Sequence, residues 1–217
     1  MRGCSTAVVI EAATGGRSGG VDGNERLTAA TGIVLIALLA ALGVTILSIR
    51  GLLWWHVLLG MLLIPPVALK LGATGWRFVR YYSGDPHYVR RGPPLLPLRL
   101  LAPLVVAATV AVFATGVALL VVGPGGGFLV GLHKASFVVW LFATAAHVLG
   151  HLRRLPRLAL ADWHGRRIPR ERALPGTFGR RLLLAGTIVA GAILAIATVR
   201  YAQPWSHWLT AHHQHDG

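Results

Sequence analysis

His56, His133 and His147 are the residues of this chain whose type and spacing could do chemistry. Imidazole nitrogen is the commonest side-chain ligand for iron, copper and zinc at neutral pH. His133 and His147 stand fourteen residues apart in one apolar stretch. Over that interval a helix advances roughly 21 Å and turns through about 1400°, which leaves the two imidazoles within about 40° of one another on one face. They would then address two levels of one bundle. A b-type haem takes two axial imidazoles from facing helices, and two such haems stack along the membrane normal in a four-helix membrane cytochrome.

The elements that must position these residues are membrane spans. Of 217 residues, 54% are hydrophobic and 13% charged, and the apolar residues gather in long runs. Runs long enough to span occur at about 28–49, 52–71, 100–122, 128–152 and 182–201, which predicts an all-α polytopic bundle of five transmembrane helices. The net charge of +14 follows membrane topology and not nucleic-acid binding. With the N-terminus inside, only Arg50, Lys134 and Arg200 of the 21 Lys and Arg fall outside. The positive-inside rule thus predicts a cytoplasmic N-terminus and an external C-terminus. Residues 1–27, without a spanning apolar run, read as a disordered cytoplasmic leader. Residues 28–202 form the bundle, and 203–217 a His-rich extracytoplasmic tail.

Within this frame His56 lies about one turn into the second helix and His133 about one turn into the fourth, from the same outer side. They are level, and a haem b held by His56 and His133 is the leading assignment. The bland alternative makes them interfacial histidines bonded to carbonyls or water. An ionisable residue within a bilayer points to function by default. At the inner level His147 has the right phase and His151 follows one turn later, but the second helix offers no facing His. Lys70 stands fourteen residues after His56, and an amine ligates iron only after losing its proton. Pro65-Pro66 should bend the helix between them. His87, from the first inner loop, could fold back towards His147 or His151. One haem is better supported than two. Gly60, one turn from His56, and Ala143 to Ala146 suit close approach of helices or of a flat ring.

The remaining motifs narrow the chemistry. Cys4 is the only cysteine, which excludes an intrachain disulfide framework, an all-Cys iron–sulfur site and Cys-x-x-Cys-His haem attachment. No Ser/His/Asp set, metalloprotease motif or Gly-rich phosphate loop is present, and no catalytic residue is assigned. The first inner loop, 74–99, mixes Trp76, Arg77, Phe78, Arg80, Tyr81, Tyr82 and Arg90 with prolines, suiting a structured interfacial anchor. Its sharper reading has Arg77, Arg80 or Arg90 neutralising haem propionates or docking an acidic partner. The second inner loop, 153–181, is basic and reads as an amphipathic surface segment. His212, His213 and His215 form a weak tail site for Zn or Cu.

Residues 28 to 152 resemble the bacterial b-type cytochrome membrane subunits, a group that includes cytochrome b561-like and ferric-reductase-like transmembrane domains. The likeness is carried by His56 in Trp55-His56-Val57-Leu58-Leu59-Gly60, His133 in Leu132-His133-Lys134-Ala135-Ser136-Phe137, and His147 in Ala146-His147-Val148-Leu149-Gly150-His151. It implies four core helices with haem between them, with His56, His133 and His147 as axial ligands. Lys70 departs from that pattern and leaves an inner haem one ligand short. More narrowly, Arg80-Tyr81-Tyr82-Ser83-Gly84-Asp85-Pro86 is similar to a set of small actinobacterial integral membrane proteins, a likeness that supplies no chemistry.

The resulting expectation is a haem b-binding membrane subunit. It would pass electrons between a quinone, or a soluble or membrane oxidoreductase, and an acceptor, either as a non-catalytic relay or as part of a membrane oxidoreductase. Its partners would be the lipid bilayer and that redox partner, with no nucleic acid. The alternative is a non-redox scaffold, assembly factor or small transporter whose histidines are interfacial or bind a transition metal. A transporter more usually carries acidic residues near the midplane, and all seven Asp and Glu fall outside the expected spans.

Overall fold

The computed structural model describes residues 4–90, 96–152 and 177–211, with side chains over 23–90, 99–150, 178–208 and at 211. The described residues form helices and turns, with no strand among them. The helices are α1 (Cys4–Leu47), α2 (Ile49–Tyr82), α3 (Pro86–Val89), α4 (Leu96–Val122), α5 (Gly127–Leu152), α6 (Thr177–Thr198) and α7 (Gln203–Ala211). A 3-10 turn, Val199–Ala202, links the last two.

Among the described residues, five segments are long and apolar enough to cross a membrane: Gly23–Leu47, Ile49–Tyr82, Arg99–Val122, Gly127–Gly150 and Phe178–Trp208. The protein is therefore an all-α, multi-pass membrane bundle. Large apolar side chains such as Ile33, Ile36, Leu100, Phe142 and Ile196 stand exposed on its outside, as lipid-facing positions require. In hydrocarbon a hydroxyl must find a partner within the protein. Thr31, Thr109 and Thr198 accordingly donate back to the carbonyls of Leu27, Val105 and Leu194.

Two tight hairpins define one end of the bundle. Ser48 alone separates α1 from α2, and Leu52 departs from helical φ/ψ just after it, so the chain reverses within a few residues. Gly123 closes α4 at φ +75°, donating its N–H to the Leu119 carbonyl at 3.0 Å, and α5 begins at Gly127. A left-handed helix end of this kind favours glycine because no Cβ opposes it. His56 and His133 both lie about two turns or less from this hairpin end, on α2 and α5.

At the opposite end, α2 runs on through Trp76, Arg80 and Tyr82, where a loop beginning at Thr74 was expected. The stretch lacks any proline before Pro86, so nothing breaks the helix until Gly84, at φ +78°, turns the chain. Asp85 then caps α3, accepting the His87 backbone N–H at 3.0 Å, with Pro86 in the first helical turn. Arg80 pairs with Asp85 at 2.6 Å and lies over the Trp76 ring. The structured turn expected here is thus present, though later in the chain.

The backbone of α1 is helical from Cys4, through most of the stretch expected as a leader. Pro65-Pro66 also sit within α2 without any departure from helical φ/ψ. They free the carbonyls of Met61 and Leu62, four residues earlier, from their intrahelical bonds. Gly191 of α6 packs directly on the Leu62 carbonyl, where a Cβ would collide with it. The proline pair thus becomes a seat for α6.

Packing divides the bundle. α2 lies closely along both α1 and α6, α4 lies along α5, and α2 approaches α4 more briefly. Trp205 of α7 donates its indole N–H to the Leu119 carbonyl of α4 at 3.0 Å, tying the fifth span to the second hairpin. Among the described residues, no Cα of α5 comes within 8 Å of a Cα of any helix but α4. Directly packed helices have axes about 8–10 Å apart and Cα atoms much closer than that limit. A gap therefore separates α5 from α1 and α2.

Candidate functional site

The gap is where the two hairpin-end histidines meet. The ring centroids of His56, from α2, and His133, from α5, are 6.5 Å apart with their planes at 84°. His56 Nδ1 lies 2.9 Å from Thr45 Oγ1 of α1, and His133 Nδ1 lies 3.0 Å from Thr115 Oγ1 of α4. Each imidazole is therefore held by a threonine from the other helix of its own hairpin. Both threonines are buried, Thr45 at 4% and Thr115 at 8% exposure.

The hydroxyl protons decide which imidazole nitrogen is available. Thr45 Oγ1 lies 2.5 Å from the Leu42 carbonyl, and Thr115 Oγ1 lies 2.8 Å from the Ala111 carbonyl and 3.1 Å from that of Val112. A carbonyl oxygen has no proton to give, so a hydroxyl that donates to its own helix can only accept from histidine. In that arrangement each imidazole carries its proton at Nδ1 and its lone pair at Nε2. An imidazole that ligates a metal commonly has its second nitrogen donating to an oxygen in this way. Ser136 donates to the His133 carbonyl at 3.0 Å and stands 3.4 Å from Thr115 Oγ1, completing the polar cluster on the α4–α5 side.

Two glycines make room for the rings. A Cβ at Gly116 would stand 3.2 Å from His133 Cε1, tighter than a relaxed contact, so the glycine sets how far the ring can settle against α4. Gly60, one turn along from His56, has no heavy atom within 4 Å of where its Cβ would be, although the residue is half-buried. A side chain at this position would meet open space.

The 6.5 Å centroid separation is of the size that two imidazoles sharing one ion would have, since a metal–imidazole bond is about 2 Å long. No group of three or more His, Cys, Asp or Glu able to hold a metal ion occurs among the described residues.

The other expected ligands lie elsewhere. Lys70 Nζ donates to the Thr28 carbonyl of α1 at 2.6 Å and packs against Gly32, so its amine is engaged in the α1–α2 interface. His87 is on α3, which approaches α1 and α2 but not α5, and so is not brought to His147. His147 is half-buried on α5 at the level away from the hairpins. The side chain of His151, the second inner loop over 153–176 and the tail residues His212, His213 and His215 lie outside the described residues. Arg77 and Arg80 are on α2, 21 and 24 residues beyond His56. At 1.5 Å per residue they are roughly 30 Å or more along the helix and cannot reach propionates of a group bound at His56.

Thr45, Thr115 and Gly116 were missed in the sequence reading. Their signal was slight: a polar residue within an apolar run, at the depth of a histidine in the neighbouring helix. Compared with known protein families, curated proteins and solved structures, the chain gives no match.

Proposed function

We propose that the protein is a b-type cytochrome of a bacterial cytoplasmic membrane, with one haem b axially held by His56 and His133, acting as an electron-transfer subunit. The carrying observation is the pairing of these imidazoles at 6.5 Å across a gap between α5 and α2. The threonine contacts at both Nδ1 atoms and the open space beside Gly60 support the same reading. When bound, the haem supplies one-electron redox chemistry at its iron. The chain's own part is to orient two imidazoles, keep water from the site with apolar helices and tune the basicity of the ligands through Thr45 and Thr115. The site lies towards the outer face if the charge distribution sets the orientation, which puts the electron exchange partner, a quinone or an oxidoreductase, within reach of that face.

The test is the absorption spectrum of the purified protein before and after dithionite. A reduced b-type α-band and a low-spin Soret band are expected. A protein purified from haem-sufficient cells with neither band refutes the reading and leaves the histidines as hydrogen-bonded helix-packing residues.

A further inference from the structure

We propose that Thr45 and Thr115 are positioning residues that lock the two imidazole planes perpendicular to one another and lower the reduction potential of the centre. This inference rests on the haem reading above. The same device occurs in both hairpins: a buried threonine on the first helix spends its proton on its own backbone and accepts Nδ1–H from the histidine on the second. Because an N–H donor lies in the ring plane, accepting that proton fixes rotation of the ring as well as its tautomer. Two such anchors, on α1 and α4, hold the rings at 84°.

Two consequences follow for iron ligated by such a pair. Perpendicular imidazoles donate into different iron d orbitals, which keeps those orbitals close in energy and gives a highly anisotropic low-spin ferric resonance. Parallel rings would give a rhombic one. Accepting the Nδ1 proton also makes each imidazole a stronger donor, which favours ferric over ferrous iron and depresses the midpoint potential.

Valine is close in shape to threonine and removes the acceptor. In Thr45→Val or Thr115→Val protein, the resonance should become more rhombic, the midpoint should rise, and haem affinity should fall by roughly 10- to 100-fold. Thr45→Ser and Thr115→Ser should restore the wild-type resonance and midpoint. Thr187→Val serves as the control, because the Thr187 hydroxyl donates to the Leu184 carbonyl of α6, away from both histidines in the chain. Paramagnetic resonance and potentiometric titration of the intact protein read both effects. Valine variants with the wild-type resonance and midpoint overturn this inference alone, as do serine variants that fail to restore a haem signal lost with valine. A wild-type protein without low-spin haem overturns the haem reading as well.

Discussion

His56 and His133 face one another near the hairpin end of the bundle, and in the proposed reading each supplies one of the two nitrogen donors. His56→Ala and His133→Ala should each abolish the low-spin spectrum, while His207→Ala, on α7, should leave it unchanged. Lys70→Met should also leave it unchanged, because the Lys70 amine is engaged with the Thr28 carbonyl. A spectrum lost in Lys70→Met but retained in His133→Ala would contradict the assignment. Gly116→Val should displace the His133 ring and weaken haem retention, read as haem per protein after purification. The histidines themselves were legible in the sequence because an imidazole in an apolar run is costly and rare. Their threonine partners were not, since a threonine in a membrane helix satisfies itself on its own backbone and advertises no second role.

At the scale of elements, the spans were readable from apolar length alone; the third and fourth match to within two residues, while the first begins five residues earlier than expected, the fifth runs on to Trp208 and α2 continues to Tyr82. That extension was hidden because Arg and aromatic residues look like a surface loop in sequence, whereas a helix that leaves the bilayer can carry them as an interfacial collar. The proline pair misled in the opposite direction. Pro65-Pro66 look like a break, yet the carbonyl they release at Leu62 is covered by Gly191 of α6. Gly191→Val should push α6 off α2 at this contact and destabilise the fold by about 1–3 kcal/mol, the usual cost of overpacking. Thermal unfolding in detergent checks this through a lowered Tm. An unchanged Tm would show that α6 does not depend on that seat.

For the whole molecule, the decisive feature is uneven packing: among the described residues α2 lies against two neighbours along its length, while α5 rests closely on α4 alone. No periodicity in the sequence reveals such a gap, because it depends on which hairpins pack and which stand apart. Orientation can be tested independently. Reporter fusions that are active only outside the membrane should be active at the C-terminus and silent in the α2–α4 connection, as the distribution of Lys and Arg requires. The reverse pattern would turn the paired histidines towards the cytoplasm. The central claim is tested most directly by the pyridine haemochrome of the purified wild-type chain, quantified against protein. One b-type haem per chain is the predicted result, and none would contradict the account.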